Sequence, residues 1–461
     1  MHRKIAVVGA SMEGFLQLAL LVHGRRYYGP KYNLTDDEYT LIHDPDKVYP
    51  FMMTGAGTVF FETLEREIFL TKRWMQKYAD AALEGCGYKY IGWGNRRDKN
   101  FFTQGCNLTF DIEKFRQEFI TNGGDIFGPN VNIVEQRIDS FEEVEDGIAI
   151  NGNKYDYVID CCDKQPLGWD LDYHAPSVEV SNSAVIFEKP SAGNFNYTMD
   201  YAAKYGHIIG LPHRTKQLWS YCYDSKLCTE DDIRADFASI FPEEVTQSYK
   251  SWSISWTPRV SNYVVHPVNR RYIRNGSSLI NIEPSTISSS EFSDFIGTAI
   301  NEYLFVSAND SPEEKVEVLE EIQNEYTNFI LKTMQSMICF TYQYGSRHDE
   351  EFWTNVRDKS IEYLESPLFI HPNVFPGNTW RTQILTDSWG DEEYRTIHHV
   401  HESYEGQECP REYHLPFNWM ANSTTFYELS IGLGAPYADK FNTLGECDPP
   451  EDYGTIGYEL I

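Results

Sequence analysis

The N-terminal region contains the pattern that most restricts what this chain can fold into. Residues 4–8 form an apolar run predicted to be a short buried strand, 9–14 a glycine turn, and 15–23 a helix. Residues 39–42 predict a second strand, which runs into an acidic turn at 43–46. A buried strand, a glycine turn, a helix and a parallel strand form the opening unit of a dinucleotide-binding α/β fold.

The glycine turn, Gly9-Ala10-Ser11-Met12-Glu13-Gly14, is the fingerprint G-x-G-x-x-G with serine at the middle glycine. That glycine lets the backbone approach a pyrophosphate, and serine is a small replacement for it. A single hexapeptide of this kind also serves as a helix-capping turn in unrelated α/β proteins, so both interpretations remain open. Asp44, at the end of the second strand, is either an acceptor for the adenosine ribose or a turn residue.

The composition excludes some classes of partner. The 461 residues are 41% hydrophobic and 15% aromatic, enough for one large core or for two domains that share an interface. A formal net charge of −30 would repel the phosphates of a nucleic acid. The longest apolar run, 15–22, is too short to span a membrane, and no signal peptide is recognised. We therefore expect a cytoplasmic protein that binds neither nucleic acid nor membrane, and the sequence leaves open whether it forms a homo-oligomer.

The cysteines and histidines are the candidates for disulfide bonds and metal sites. Nine cysteines, an odd number that includes the adjacent pair Cys161-Cys162, suit no disulfide framework, and we expect them to be reduced. His399 and His401 would share one face of a strand, with Cys409 downstream, and could bind a metal. Exposed strand histidines are commoner than metal ligands, so we expect no metal.

Further secondary structure is predicted along the rest of the chain. Residues 110–120 indicate a helix started by Asp111, and 154–160 a strand that ends at Cys161. Strand formers at 185–187, 218–223 and 251–256 predict a sheet between about 181 and 261. Ser311-Pro312-Glu313-Glu314 is a capping signature that starts a helix running to about residue 340. No repeat or low-complexity linker separates these regions, so the domains are expected to be intertwined.

Several short segments match the motifs of one enzyme family in order and spacing. Thr54-Gly55-Ala56-Gly57-Thr58 stands where the family has a flavin-binding strap, although the strap's glutamate is absent. A second flavin motif is matched by Asn275-Gly276-Ser277-Ser278, continuing through Ile282-Glu283-Pro284 to Ser288-Ser289. Further matches are residues 40–44, 110–111, 134–138, 159–162, 346–353, and Asn422 with 431–434. Together these segments resemble the flavin-dependent halogenases of the tryptophan-halogenase kind over nearly the whole chain.

The resemblance implies an α/β (α+β) fold, namely the FAD-binding, Rossmann-like flavin monooxygenase/halogenase fold with an intertwined substrate-binding subdomain. Residues 1–180 and 260–310 would bind FAD, 180–260 would form the substrate-side β-sheet, and 310–461 a mostly helical substrate-binding region. It also implies an enzyme in which reduced FAD, oxygen and halide give hypohalous acid, which crosses the protein to halogenate an aromatic substrate. A separate flavin reductase would supply the reduced FAD, since no second dinucleotide fingerprint occurs.

The resemblance assigns cofactor and halide contacts to residues within these motifs. The expected FAD contacts are Gly9, Ser11, Gly14, Asp44, Gly55, Gly57, Arg137, Ile138, Gly276 and Pro284. Arg137 and Ile138 would contribute through the backbone of the strand that holds the adenine. The backbone amides of Ser288 and Ser289 would bind the halide.

The sequence departs from the family at its tryptophan motif. The pattern G-W-x-W-x-I-P falls on residues 206–212, where His207 and Ile209 replace both tryptophans. His207 is therefore expected to border the substrate. Trp252 and Trp256 occur nearby at a different spacing, and they are interpreted as core residues of a strand.

Two lysines compete for the role of the family's catalytic lysine. Lys89 matches the second lysine of the family's F-K-x-x-I-K-F pattern, and Lys77 is available from the preceding helix. The alternatives are that Lys89 supports the flavin domain and that Lys77 is a solvated helix residue. The family's catalytic glutamate falls on Thr286, with Ser285 beside it. A hydroxyl cannot act as the same base, although it can hydrogen-bond a small polar intermediate.

The family's indole clamp is also altered. The clamp falls on Met420-Ala421 with Trp419 adjacent, so Trp419 and Met420 are expected to contact the substrate. A lost clamp and a shortened lid at 94–109 predict a wide pocket for phenols, indoles and other electron-rich rings, with bromide and iodide favoured over chloride. The departures suggest a divergent member of viral or bacterial origin. Two alternatives stay open, a flavin-dependent aromatic monooxygenase that hydroxylates its substrate and a non-catalytic flavin-fold binding protein.

Overall fold

The computed structural model describes residues 2–45, 53–56, 82–94, 100–111, 114, 116–117, 120–121, 127–162, 172–189, 197–212, 216–241, 250–282, 289–327 and 331–366. The strands are β1 (Lys4–Val8), β2 (Glu38–His43), β3 (Met53–Ala56), β4 (Ala82–Ile91), β5 (Phe101–Phe110), β6 (Val131–Glu135), β7 (Phe141–Val144), β8 (Gly147–Ile150), β9 (Asn153–Tyr155), β10 (Tyr157–Asp160), β11 (Tyr173–His174), β12 (Ser183–Lys189), β13 (Thr198–Ala203), β14 (Gly206–Pro212), β15 (Gln217–Tyr223), β16 (Lys250–Ser255), β17 (Arg259–Ser261), β18 (Tyr272–Arg274) and β19 (Ile280–Asn281). The helices are α1 (Met12–Tyr27), α2 (Gly29–Tyr32), α3 (Glu230–Ile240), α4 (Ser289–Phe305), α5 (Pro312–Glu325), α6 (Leu331–Tyr342) and α7 (Glu351–Glu365), with 3₁₀ turns at Gly276–Ser278 and Val306–Asn309.

A five-stranded parallel sheet forms the N-terminal half of the fold. Its strand order is β18-β10-β1-β2-β6, and every neighbouring pair is parallel. The apolar residues of β1 are buried on both faces, as expected for the central strand of a parallel sheet covered by helices. This arrangement confirms the predicted strand–turn–helix–strand opening unit and the α/β class. The predicted helix at 15–23 begins earlier, at Met12, because Ser11 caps it.

An eight-stranded sheet, referred to here as the large sheet, forms the second layer. Its order is β16-β12-β15-β14-β13-β4-β5-β3, and it is antiparallel except between β13 and β4. Strands β12, β15 and β16 confirm the three strands predicted at 185–187, 218–223 and 251–256. The segment expected to form the substrate-side sheet, 180–260, supplies five strands, while β3, β4 and β5 come from the N-terminal part of the chain. The chain therefore passes between the two sheets more than once.

The two faces of the large sheet are covered differently. On the face named here the α3 face, Val185, Ala203, Ile208 and Tyr221 pack with Ile233 and Phe237 of α3. Side chains alternate along each strand, so the neighbouring positions point to the other side. On that side, the helix face, Tyr90, Ala202 and His207 pack toward Tyr342 of α6 and Trp353 of α7. These two faces decide which predicted site residues can meet.

Two predicted helix starts are confirmed by their capping hydrogen bonds. Ser311 and Glu314 form a reciprocal capping box at the start of α5. The span predicted as one helix running to about residue 340 contains α5 at its start and α6 at its end. Asp111 follows β5 and accepts a hydrogen bond from the Lys114 backbone N–H at 3.3 Å, which caps the helix predicted at 110–120.

Neither a membrane-spanning helix nor a metal site occurs in the described part of the chain. None of its helices is both long enough and apolar enough to cross a lipid bilayer. Within the same residues, no three His, Cys, Asp or Glu side chains are grouped as a metal site would require. His399, His401 and Cys409 lie outside the described residues.

Candidate functional site

The glycine turn closes tightly between β1 and α1. Gly9 has φ of +107°, a conformation that L-residues rarely adopt, and a Cβ atom there would lie 2.5 Å from the Cys162 Cβ. A Cβ atom on Gly14 would lie 1.8 Å from the carbonyl oxygen of Gly9. The Gly9 N–H donates to the Ile42 carbonyl at 2.9 Å, which ties the turn to β2. Both glycines are therefore required by the backbone geometry of the turn.

Ser11 acts as the N-cap of α1. Its backbone is extended, and its hydroxyl accepts a hydrogen bond from the Gly14 N–H at 3.4 Å. The helix-capping interpretation of the hexapeptide is thus realised. It remains compatible with nucleotide binding, because the other N–H groups of the first turn and the positive end of the helix dipole still favour a phosphate.

The second predicted flavin motif packs directly against the first. Gly276 has φ of +54°, and a Cβ atom there would lie 2.8 Å from the Glu13 Cβ in the first turn of α1. The Asn275 side-chain amide donates to Gln17 Oε1 at 2.7 Å and to the Ser293 carbonyl at 2.9 Å. Asn275 thus connects the second motif to both α1 and α4, although these elements are far apart in sequence.

Asp160 links the ends of β10 and β18. Its carboxylate is fully buried and accepts hydrogen bonds from the Tyr272 hydroxyl at 2.7 Å and the Ser278 hydroxyl at 3.0 Å. It also accepts from the Cys162 N–H at 3.0 Å. Ser278 belongs to the second predicted flavin motif, whereas no role was predicted for Tyr272. The sequence signal for this connection is the placement of Asp160 at a strand end.

A buried arginine lies beside the second motif. Arg274, the last residue of β18, is fully buried and donates to the Ser261 hydroxyl at 2.8 Å. Its guanidinium lies 4.2 Å from the ring centroid of Tyr173 and 4.4 Å from that of Tyr263. An arginine enclosed by aromatic faces is held by cation–π attraction as well as by hydrogen bonds. The sequence analysis did not identify Arg274.

Asp44 and Ile138, both predicted to contact the cofactor, are brought together. Asp44 is 1% exposed, and its carboxylate accepts a hydrogen bond from the Ile138 N–H at 3.3 Å. The Arg137 guanidinium points instead toward solvent and pairs with Asp139 at 3.1 Å. This hydrogen bond connects the end of β2 to the segment that follows β6. Asp44 therefore has a structural role beyond that of a turn residue.

Lys89 lies on the α3 face of the large sheet. It pairs in register with Met199 of β13 and Phe102 of β5, between the inward-pointing Tyr88 and Tyr90. Its ammonium lies 6.0 Å from the ring centroid of Tyr197. The structure therefore does not bring Lys89 to the helix face.

His207 lies on the helix face, fully buried in an aromatic cluster. Its Nδ1 is 2.9 Å from the hydroxyl of Tyr342, and its ring centroid is 5.9 Å from that of Trp93. Burial lowers the pKa of His207 from 6.5 to about 3, because the charged imidazolium would be desolvated. His207 is accordingly neutral at physiological pH.

Asp200, for which no role was predicted from the sequence, lies on the same face as His207. Asp200 is 1% exposed, and its Oδ1 accepts a hydrogen bond from the Trp93 indole N–H at 3.1 Å. Burial raises the pKa of this carboxyl from 3.8 to about 8, and only the Trp93 hydrogen bond opposes the shift. At neutral pH Asp200 is therefore an uncharged acid.

The segment Ser346–Trp353 fastens this cluster in place. Trp93 forms an isolated antiparallel bridge with Ser346, and the Arg347 N–H donates to the Gly92 carbonyl at 2.8 Å. The Arg347 guanidinium also donates to the Tyr201 hydroxyl. Trp353 donates from its indole N–H to the Ala203 carbonyl at 2.7 Å. The motif that the sequence analysis matched at 346–353 thus holds Trp93 against the large sheet.

The tryptophans of β16 and its end, interpreted from the sequence as core residues, are partly buried and pack against the core. Trp252 and Trp256 pack against a buried cluster that contains Ile209 and Leu211. The Trp256 indole N–H donates to the Ile282 carbonyl at 3.3 Å, within the second predicted flavin motif. Spacing alone did not reveal this contact.

The remaining predicted site residues divide into two groups. Gly55 lies in β3 opposite Leu108, and Ser289 begins α4. The residues outside the described part of the chain are Gly57, Lys77, Pro284, Ser285, Thr286, Ser288, Trp419 and Met420.

Comparison with known proteins gives matches in structure. No family model matches the chain, and no curated protein is similar to it in sequence. A tryptophan halogenase from Shewanella frigidimarina is similar at 12% identity and a TM-score of 0.63, covering 94% of this chain and 89% of that one. BrvH, a flavin-dependent halogenase from Brevundimonas sp. BAL3, is similar at 14% identity and a TM-score of 0.63, covering 95% and 92%.

A third similar structure has a different activity. QhpG, a peptidyl tryptophan dihydroxylase essential for tryptophylquinone cofactor biogenesis, matches at 14% identity and a TM-score of 0.57, covering 77% of this chain and 79% of that one. Identities this low establish the fold alone. The chain has the fold of the flavin-dependent halogenases, as its motifs predicted.

Proposed function

We propose that the protein is a flavin-dependent halogenase that uses reduced FAD, oxygen and halide to halogenate an electron-rich aromatic compound. One observation carries this proposal. The predicted FAD contacts Gly9, Asp44, Ile138 and Gly276 follow the carboxyl ends of β1, β2, β6 and β18, four strands of one parallel sheet. Ligands of open parallel sheets bind in the crevice beyond this edge.

The residues at this edge fit a dinucleotide. Gly9 and Gly276 leave no room for a side chain at the turn, so the backbone itself forms the surface that a pyrophosphate would approach. The N-terminus of α1 would favour its negative charge, and the backbone near Ile138 would hold the adenine. When bound, FAD would supply the activation of oxygen and the oxidation of halide, while the chain positions the reactants and excludes water.

The placement of Lys89 argues against it as the catalytic lysine, and we propose Lys77 for that role. Lys89 lies on the α3 face, whereas His207, proposed to border the substrate, lies on the helix face. Thr286 and Ser285 are proposed to hydrogen-bond the oxidised halogen species, and Ser288 and Ser289 to bind the halide through their amides. Trp419 and Met420 are proposed to contact the aromatic substrate.

The proposed substrates are phenols, indoles and other electron-rich rings rather than free tryptophan alone, with bromide and iodide favoured over chloride. The proposed partner is a flavin reductase that releases reduced FAD. The lost indole clamp at Met420-Ala421 and the shortened lid at 94–109 support this broader preference.

Aromatic hydroxylation is the second candidate function. The similarity of the fold to a peptidyl tryptophan dihydroxylase favours it, as does the replacement of both motif tryptophans. The two functions differ in their need for halide. Hydroxylation proceeds without halide and adds oxygen to the product.

The experiment that tests the proposal is mass spectrometry of reaction products. The protein would be incubated with a flavin reductase, FAD, NADH and oxygen, with a panel of phenols and indoles and with each halide in turn. Halogenated products that require both protein and halide are expected. Oxygenated products formed without halide would instead identify the protein as an aromatic hydroxylase. If a fluorescence titration detected no FAD binding, the remaining alternative would be a non-catalytic binding protein with a flavin-type fold.

A further inference from the structure

Five side chains form a buried cluster between the helix face of the large sheet and helices α6 and α7. The members of this Trp93 cluster are Trp93, Asp200, His207, Tyr342 and Trp353, each no more than 2% exposed. The Trp93 ring centroid lies 5.1 Å from those of Tyr342 and Trp353. The cluster is thus closely packed around the Trp93 indole.

The hydrogen bonds of the cluster leave one oxygen of Asp200, Oδ2, to be accounted for. The Trp93 N–H is bonded to Asp200 Oδ1, Tyr342 to His207, and the Trp353 N–H to the Ala203 carbonyl. Asp200 Oδ2 is buried and has no hydrogen-bond partner among the residues that the structure describes. Proteins rarely leave a buried polar atom unsatisfied, so such an atom points to a water or a ligand.

The chemistry of Asp200 restricts what that ligand can be. Tyr90 of β4 stands in register with Asp200, and the other titratable groups of the cluster are His207, which is neutral, and Tyr342. Burial keeps the pKa of Asp200 near 8, so at neutral pH its Oδ2 carries a proton and donates. A neutral donor in an aromatic enclosure favours a small uncharged acceptor over an ion.

The register of the sheet gives the neighbour of Asp200 on β14. Ile209 stands opposite Asp200 and has no polar side-chain atom. Asp200 therefore supplies the hydrogen bond on this side of the cluster. Because the five side chains of the cluster are almost completely buried, a ligand of Oδ2 would be enclosed by protein, and we expect it to be small.

We propose that Asp200 is the hydrogen-bonding residue of a buried subsite for a small neutral O–H molecule, located between the large sheet and helices α6 and α7. Water occupies it in the resting protein. If the proposed function holds, hypohalous acid takes the place of the water during turnover, on its way to the substrate. The ligand accepts a hydrogen bond from Oδ2 and leaves chemically unchanged, while Oδ1 stays bonded to Trp93.

A crystal structure of the resting protein tests the first part without any turnover. One ordered water within hydrogen-bonding distance of Asp200 Oδ2 is expected. The Asp200→Leu variant should lose this water, whereas Asp200→Asn should retain it, because the amide oxygen can accept from Trp93 while its NH2 group donates. A wild-type structure in which Oδ2 bonds to another protein group, with no water there, would overturn the subsite.

Coupling of oxidant to product tests the second part. The reaction contains reductase, FAD, NADH, bromide and a phenol. The amount of brominated product formed per NADH should fall about tenfold in Asp200→Leu, which is the effect of losing one hydrogen bond to the ligand. Hypobromous acid captured by a diketone trap should rise, and flavin reoxidation should be unchanged. Asp200→Asn and the exposed control Asp231→Leu should match the wild type.

The two parts of the proposal fail in different ways. Equal coupling in Asp200→Leu and wild type would overturn the role of Asp200 during turnover. If the wild type formed no halogenated product at all, the proposed function would fail, and the crystallographic water would still decide whether the subsite exists. Thermal melting of each variant checks that the leucine variant is folded.

Discussion

Lys89 and His207 lie on opposite faces of the same sheet, Lys89 on β4 beside Met199 and His207 on β14 against Tyr342. From the sequence, Lys89 was predicted to be a candidate catalytic residue and His207 to contact the substrate. A lysine on the α3 face cannot reach a reactant on the helix face without crossing the sheet. This relationship argues against Lys89 as the catalytic lysine.

Replacing each lysine by alanine should give different results. Lys89→Ala is expected to retain turnover within about twofold, whereas Lys77→Ala should lower kcat at least about 100-fold, the size typical of a positioned catalytic group. Steady-state halogenation with saturating reduced FAD measures both. A large loss in Lys89→Ala with an unchanged melting temperature would return Lys89 to the catalytic role.

The features that were predictable from sequence are local ones. The strand, glycine turn and helix from Lys4 to Tyr27 depend on neighbouring residues, and so does the capping box of Ser311 and Glu314. The first of these patterns identified the parallel-sheet half of the α/β fold. Such patterns can be recognised in a sequence because the residues that cause them lie within one turn or one strand of each other.

The features that were missed depend on pairing between distant segments. Asp200 lies in a strand where a single acid suggests a solvent-exposed position, and its burial follows from α6 and α7 covering that face. The hydrogen bonds from Tyr272 and Ser278 to Asp160 require β10 and β18 to be neighbours, although more than a hundred residues separate them. No local pattern carries this information.

Gly276→Ala is expected to weaken FAD binding at least about tenfold. The added Cβ would meet the Glu13 Cβ at 2.8 Å and push the 3₁₀ turn away from α1. Gly128→Ala is the matched control, because Gly128 also has positive φ, +94°, but has nothing within 4 Å of an added Cβ. Both variants should lose roughly 1–2 kcal/mol of stability from the strained backbone. Fluorescence titration measures the affinity, and equal FAD dissociation constants for the two variants would count against the proposed cofactor crevice.

Asp200→Asn is expected to stabilise the protein at alkaline pH. The folded-state pKa of Asp200, about 8, lies above the unfolded value near 3.8, so the folded protein holds a proton that the unfolded chain has lost. Stability is therefore complete below about pH 4 and falls as pH rises toward 8, at about 1.4 kcal/mol per pH unit. Asparagine cannot ionise and removes this fall. Denaturant unfolding at pH 5 and pH 8 should show the variant's advantage growing with pH, whereas a constant difference would contradict burial of a neutral acid.

His207→Asn should have the opposite pH dependence. Burial lowers the folded-state pKa of His207 to about 3, so the unfolded chain binds a proton below pH 6.5 that the folded protein does not bind. The stability contributed by neutral His207 is therefore present above pH 6.5 and is lost as the pH falls toward 3. Asparagine keeps a side-chain acceptor for the Tyr342 hydroxyl but does not titrate, so the wild type should lose stability more steeply than the variant between pH 6.5 and 4. His174→Asn, at an exposed position, is the control, and identical acid unfolding curves for His207→Asn and wild type would mean that His207 is accessible to solvent protons.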